Sequence, residues 1–155
     1  MNETIYFGAI DKAAKEHGLD TDLVLAVCQH ESGLNPYAVR FEPKFKYILN
    51  PVEYAKALRI TIETEITLQK MSWGCMQVMG AVARELGFME HLTKLTGVEL
   101  GLEFGCKKLK SCFDKYGDNL TLVLSAYNAG SPRLVNGVLV NQQYVNSVLG
   151  HLTPK

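Results

Sequence analysis

The chain has 155 residues and a mass of 17.2 kDa, with 47% hydrophobic and 21% charged residues. This size and composition are typical of one soluble globular domain, which we expect to cover residues 1–155. Basic and acidic residues number 16 each, and without a basic stripe we expect no nucleic-acid partner. No apolar run approaches the roughly 18 residues of a membrane span, so none is predicted.

The N-terminal residues Met1–Thr4 lack the basic start and apolar run of a signal peptide. We therefore expect a chain that stays in the cytoplasm before any release. The four cysteines form neither a C-x-x-C pair nor a zinc pattern. They are interpreted as reduced, mostly buried apolar residues, and no metal or cofactor is predicted: Cys28, Cys75, Cys106 and Cys112.

Helical periodicity dominates the chain, and no convincing strand alternation is present. A first helix is predicted over residues 3–17, capped by Asn2 and stopped at Gly18. A second runs from about residue 20 to Ser32, where Gly33 ends it. Residues 33–50 are predicted to be irregular because prolines are spaced through and after them.

Asn50 and Pro51 form a cap followed by proline at the first helical position, which predicts a helix over 51–59. Residues 60–70 are ambiguous, since 61–67 alternate like a strand while their neighbours are helical. We favour a helix there. A short helix is predicted over 76–86, ending at Gly87.

The second half contains a long core helix closed by Gly117, whose apolar positions recur at spacings of three and four. Asp118 is expected to cap the next helix, and Asn141 the last one over 142–149, closed by Gly150. Asn136-Gly137 between valines favours a small hairpin. Three lysines on the long helix are interpreted as a solvated face: Lys107, Lys108 and Lys110.

Glu31 is the anomaly of the second helix. It continues the apolar stripe of Val24, Val27 and Cys28, so its carboxylate is directed toward the interior or a cleft. Desolvation there favours the neutral acid, and the negative end of the helix dipole also disfavours a charge. Both effects raise the pKa of Glu31 toward the range of a general acid. A surface Glu paired with Arg40 is the alternative.

Three blocks in order resemble the family of soluble lytic transglycosylases and goose-type lysozymes. The first is Glu31-Ser32-Gly33-Leu34-Asn35-Pro36. Gly74-Cys75-Met76-Gln77 is similar to the family's Gly-Leu-Met-Gln, and the block over residues 126–130, Ala-Tyr-Asn-Ala-Gly, matches its third motif unchanged. Tyr144-Val145 resembles its C-terminal tyrosine signature. The resemblance implies a mostly α, single lysozyme-like helical domain with an active-site cleft.

The resemblance also implies an activity on peptidoglycan, namely cleavage of the β-1,4 bond between N-acetylmuramic acid and N-acetylglucosamine. Glu31 would protonate the leaving oxygen and then take the proton of the sugar's C6 hydroxyl, giving a 1,6-anhydro product. The N-acetyl group would replace a second carboxylate. The expected partner is the glycan strand, bound by a monomer. Substrate-binding residues implied by the resemblance are Ser32, Ser72, Met76, Gln77, Tyr127, Asn128 and Tyr144.

An insertion at about residues 40–70 departs from the compact members of the family. Within it, Arg40-Phe41-Glu42-Pro43 resembles a block of phage-type cell-wall lysins, which suggests a phage endolysin. Glu42 is a possible second carboxylate that would activate water in an inverting, lysozyme-type hydrolysis. Alternatively, Glu42 pairs with Arg40 or Lys44 on a surface loop. A non-catalytic glycan-binding domain is the remaining interpretation.

Overall fold

The computed structural model describes residues 4–152. Most of them are helical, which confirms the predicted mostly α fold; the Asn2 cap lies outside the described residues. The helices are α1 Thr4–Glu16, α2 Thr21–Ser32, α3 Pro51–Leu58, α4 Ile62–Gln69, α5 Gly80–Glu85, α6 Val98–Tyr116, α7 Leu120–Ala129 and α8 Gln142–Leu152, with a 3₁₀ helix over Leu92–Thr96. The strands are β1 Val39–Phe41, β2 Met71–Trp73, β3 Val78–Met79, β4 Leu134–Val135 and β5 Val138–Leu139.

Local capping explains why the helix that carries Glu31 has these bounds. Asp20 begins α2, and its carboxylate accepts the Leu23 N–H at 2.9 Å. Gly33 ends α2 in the left-handed conformation, with φ of 60°. The helix favoured for residues 60–70 is also confirmed, since Thr61 caps α4 by accepting the Thr64 N–H at 3.1 Å.

A three-stranded antiparallel sheet in the order β1-β2-β3 corrects the expectation that strands are absent. β1 lies in the stretch predicted to be irregular, and β3 occupies the start of the helix predicted over 76–86, so that α5 begins only at Gly80. Strands of two or three residues are too short to show an alternating pattern, which explains the omission. The predicted hairpin is confirmed as β4–β5, with positive φ at Asn136 and Gly137.

Asn50 is the N-cap residue of α3 and Pro51 its first residue, as predicted, although the Asn50 side chain makes no capping hydrogen bond. Other predicted helix ends are wrong: Asn119, not Asp118, caps α7 by accepting the Leu122 N–H. Helix α8 continues through Gly150 to Leu152. Asn141 precedes α8, but its side chain bonds to α7 residues instead. Neighbouring polar residues offer equivalent caps in sequence, and tertiary hydrogen bonds decide among them.

Helix α6 is the centre of the core and packs against α1 and α7, while α2 packs against α8. Gly105 on α6 allows Met76 to approach, because a Cβ at this position would lie 2.3 Å from the Met76 sulfur. The four cysteines are free and buried, as predicted. No helix among residues 4–152 combines the length and apolar character needed to cross a bilayer.

A buried ion pair holds the 40–70 segment against α5. Arg84 donates to Glu65 at 2.8 Å, and both side chains are fully buried. Gln69 also donates to Glu65 at 2.8 Å, and Arg84 bonds to the carbonyls of Phe88 and Glu90. Because every partner is satisfied, α4 is fixed beside the β2–β3 sheet that forms one cleft wall.

Replacing Arg84 with Met should lower the free energy of unfolding by about 3–5 kcal/mol, because it leaves the Glu65 carboxylate buried without its positively charged partner. Urea unfolding measures the change. The double variant E65L/R84M removes both charges and should regain much of the lost stability. Equal stability of R84M and the double variant would contradict a coupled buried pair.

Candidate active site

A cleft of about 420 Å³ lies between the sheet side of the molecule and the helices. Helices α2, α6 and α7 contribute one side, and β1, β2, β3 and the loop after β1 contribute the other. The lining residues carry charged, amide, hydroxyl and apolar groups, which suits a polar ligand with apolar faces. They are Glu31, Arg40, Glu42, Phe45, Ser72, Gln77, Met79, Lys108, Tyr127 and Asn128.

Glu31 lies in the last turn of α2 and faces this cleft. Burial is the largest influence on its carboxyl and raises its pKa. The Tyr144 hydrogen bond and the charges of Lys108 and Arg40 act in the opposite direction but do not cancel the effect of burial. Glu31 therefore keeps its proton to a higher pH than an ordinary glutamate, as its sequence position predicts.

Tyr144 on α8 donates its hydroxyl hydrogen bond to Glu31 Oε1 at 2.7 Å. Burial and the Glu31 charge raise the pKa of Tyr144, so its hydroxyl remains a neutral donor. His30 packs edge-on against the Tyr144 ring, with 4.8 Å between the ring centroids. His30, the residue before Glu31, thus packs against the tyrosine whose hydroxyl orients the Glu31 carboxyl.

Gln77 and Ser72 form one hydrogen-bonded unit in the opposite wall. Ser72 donates to Gln77 Oε1 at 2.8 Å, and Gln77 Nε2 donates to the carbonyls of Ala38 and Gly74 at 2.9 Å. Gln77 has a φ of 51°, a left-handed conformation that is costly for a residue with a side chain. The three bonds hold this conformation, so the Gln77 amide already has partners within the protein.

Tyr127 and Asn128 come from the end of α7. The Tyr127 hydroxyl donates to the Met76 carbonyl at 2.6 Å, and its buried ring forms cleft wall. The hydroxyl of this predicted substrate-binding residue therefore already donates its hydrogen bond to a backbone carbonyl. Asn128 is exposed at the cleft and accepts a hydrogen bond from Asn141 at 2.9 Å.

Three residues of the predicted substrate set do not belong to the cleft lining: Ser32, Met76 and Tyr144, which instead bonds to Glu31. Met76 is fully buried against Gly105. Ser32 donates to the Cys75 carbonyl at 2.8 Å and joins the end of α2 to the β2–β3 turn. The motif blocks therefore contain residues that position the cleft as well as residues that line it.

Glu42 lies in the same cleft lining as Glu31 and forms an ion pair with Arg40 at 2.8 Å. Glu42 therefore has the Arg40 partner that the second alternative predicted, while its position in the cleft lining leaves the catalytic alternative as a prediction. The Arg40 side chain is 75% exposed, so solvent screens the charge of this pair.

Lys108 is the residue that the sequence interpretation missed. It lines the cleft near Glu31 instead of belonging to a solvated face with Lys107 and Lys110. A signal was present, because Lys108 continues the stripe of Gly101, Gly105 and Cys112, all three of which are buried. The sequence analysis overlooked this signal because a run of lysines is usually exposed to solvent. Arg40, Phe45 and Met79 complete the lining without having been assigned to the site.

No group of three or more His, Cys, Asp or Glu side chains within residues 4–152 is arranged to hold a metal ion. The arrangement contains instead one carboxyl with a raised pKa, a neutral hydroxyl donor and two cations. This combination suits proton transfer to and from a neutral, oxygen-rich ligand.

Two comparisons with known proteins bear on the family of the chain. A segment of 34 residues, 22% of the chain, is 50% identical to the membrane-bound lytic murein transglycosylase C of Sodalis glossinidius (strain morsitans). The match spans only 10% of the length of that protein. Residues 8–143 match the family described as "Transglycosylase SLT domain", a range that includes Glu31, the sheet and all of α7. The chain therefore belongs to the SLT transglycosylase domain family.

Proposed function

We propose that this domain is a lytic transglycosylase that cleaves peptidoglycan between N-acetylmuramic acid and N-acetylglucosamine. The observation that carries the proposal is Glu31, which lines the cleft, has a pKa raised by burial and accepts a hydrogen bond from Tyr144 at 2.7 Å. Membership of the SLT family over residues 8–143 supports this reaction class.

In the first step Glu31 transfers its proton to the glycosidic oxygen as the bond from that oxygen to C1 of the muramic acid breaks. A raised pKa keeps Glu31 protonated until this step. The N-acetyl group of the same sugar stabilises the positive centre at C1, so the protein needs no nucleophile. The Tyr144 hydroxyl then donates to a full carboxylate, a stronger hydrogen bond than the one to the acid.

In the second step the C6 hydroxyl of the same sugar attacks C1, and its proton passes to Glu31. A 1,6-anhydro ring forms and the acid is restored, so atoms and protons balance without added water. The Tyr127 ring and Met79 line the cleft and limit access of water to C1. Asn128, exposed at the cleft, offers an amide to hydroxyl or N-acetyl groups.

An inverting hydrolase is the second candidate, favoured by the position of Glu42 in the same cleft. This mechanism needs two carboxyl groups about 6.5–9.5 Å apart with a water between them. Glu42 is engaged with Arg40 at 2.8 Å, and this pair opposes the role of a free base.

Glu31→Gln should reduce release of soluble muropeptides from purified peptidoglycan by about 100-fold or more, since the amide cannot donate a proton of suitable acidity. Its stability should equal or exceed that of the parent at neutral pH. The pKa of Glu31 is raised in the folded state, so the parent loses stability as pH rises above the ordinary range of a glutamate, and Gln removes this loss.

Urea unfolding at several pH values checks the stability, and chromatography of the fragments checks the activity. A folded E31Q that still releases fragments would refute the role of Glu31. A parent protein that binds peptidoglycan saturably but releases nothing would instead identify a non-catalytic glycan-binding domain.

The released fragments should carry 1,6-anhydro ends, and Glu42→Gln should leave both rate and product largely unchanged. Mass spectrometry separates the two outcomes, because hydrolysis adds one water to each cut and the intramolecular route adds none. Reducible, hydrated ends that disappear in E42Q would establish the hydrolase in place of the transglycosylase.

We further propose that the domain acts as a monomeric phage-type endolysin that collects in the cytoplasm and reaches the wall once the membrane is opened. The resemblance of Arg40-Phe41-Glu42-Pro43 to phage lysins supports this setting. Bacteria producing the protein should stay intact until the membrane is permeabilised and then lyse, whereas cells with E31Q should not. Lysis without permeabilisation would contradict the proposal, as would a dimer in size-exclusion chromatography.

A further inference from the structure

Lys108 projects from α6 into the cleft that contains Glu31. Its Nζ lies 4.2 Å from the centroid of the Tyr127 ring, within the range of a cation–π contact. The ring is itself fixed, because Tyr127 is buried and its hydroxyl bonds to the Met76 carbonyl. The ammonium of Lys108 therefore has a rigid platform beside the proposed acid.

The neighbouring lysines of α6 have a different arrangement. Lys107 pairs with Glu103, and Lys110 pairs with Asp114, each four residues away on the same helix. Among residues 4–152, Lys108 forms no ion pair within 4.0 Å, although it is the lysine directed toward the cleft. A half-buried cation without such a partner needs another reason for its position.

The electrostatic effects of Lys108 and Glu31 are reciprocal. The positive charge of Lys108 lowers the pKa of Glu31, while the negative charge of Glu31 raises that of Lys108 against the larger, opposite effect of burial. Other groups also interact electrostatically with Glu31: Cys28 on α2, Arg40 on β1, Tyr127 on α7 and Tyr144 on α8, and Glu42 lines the same cleft. Of these, Arg40 is the other cation, but it is 75% exposed and engaged with Glu42.

We propose that the Lys108 ammonium, held over the Tyr127 ring, is the positioned charge that stabilises the Glu31 carboxylate formed after proton donation. This inference rests on the proposed function, because it explains how one buried carboxyl alternates between acid and base. Burial by itself favours only the protonated form. A cation that lines the same cleft offsets this preference when Glu31 becomes charged.

Lys108→Met tests the charge and keeps the aliphatic stem that packs on Tyr127. Titration of the Glu31 carboxyl by ¹³C NMR, assigned with E31Q, should show a higher midpoint in K108M than in the parent. K108R should restore a midpoint close to that of the parent. K107M is the matched control on the same helix and should leave the midpoint unchanged, since Lys107 pairs with Glu103.

Activity supplies the second measurement. Only protonated Glu31 can donate, so kcat/KM falls as pH rises through its pKa in the free enzyme. The falling limb should therefore move to higher pH in K108M and return toward the parent's position in K108R. The neutral variant K108Q should behave like K108M and serves in its place if K108M does not fold.

An unchanged Glu31 midpoint in both neutral variants would overturn the inference, as would an equal shift in K107M. A raised KM with an unchanged midpoint would also overturn it and assign Lys108 to substrate binding. Because the titration uses free enzyme, a parent protein without muropeptide release refutes the proposed function while the NMR result still decides the role of Lys108.

Discussion

The hydrogen bond from Tyr144 to Glu31 joins residues from opposite ends of the chain, and the arrangement of the cleft depends on it. A carboxyl at the C-terminal end of a helix is disfavoured as a charge by both the dipole and burial. A donor that stays neutral is therefore the suitable partner, since it orients the group without removing its proton. Packing of α8 against α2, with His30 against the Tyr144 ring, keeps this donor in place.

The opposite wall depends on a second set of constraints, which are internal to the protein. The turn between β2 and β3 holds Gln77 in a left-handed conformation, and its amide is used to satisfy the carbonyls of Ala38 and Gly74. Ser32 binds the same turn from α2. The polar side chains of these motif residues thus form hydrogen bonds within the protein that fix the shape of the cleft. This explains why a substrate role for Gln77 requires exchange of existing bonds, whereas Asn128 is exposed to a ligand.

The helices and the position of Glu31 could be predicted from sequence because they follow from local periodicity and from a polar residue on an apolar stripe. The three-stranded sheet could not be predicted, since strands of two or three residues carry no periodic signal. It forms only when β1 pairs with β2, which lies beyond the 40–70 segment in the sequence. Tertiary contacts also decide which of the predicted substrate-binding residues are accessible to a ligand. Met76 is buried against Gly105, whereas Asn128 is exposed. Lys108 was not predicted as a cleft residue because lysines are usually exposed, although the small residues of its stripe indicated a buried face.

The block at Arg40 and Glu42 links the electrostatics of the cleft to the choice of product. Arg40 pairs with Glu42 and also lowers the pKa of Glu31, so its charge acts on both carboxyl groups. A base that activates water must offer that water a free carboxylate oxygen, whereas Glu42 Oε1 is in contact with the Arg40 guanidinium at 2.8 Å. The contact with Arg40 therefore opposes the placement of a water on Glu42, while Arg40, 75% exposed, adds only the smallest of the effects that lower the pKa of Glu31. The Arg40–Glu42 contact thus favours the proposed intramolecular route, in which Glu31 serves first as the acid and then as the base.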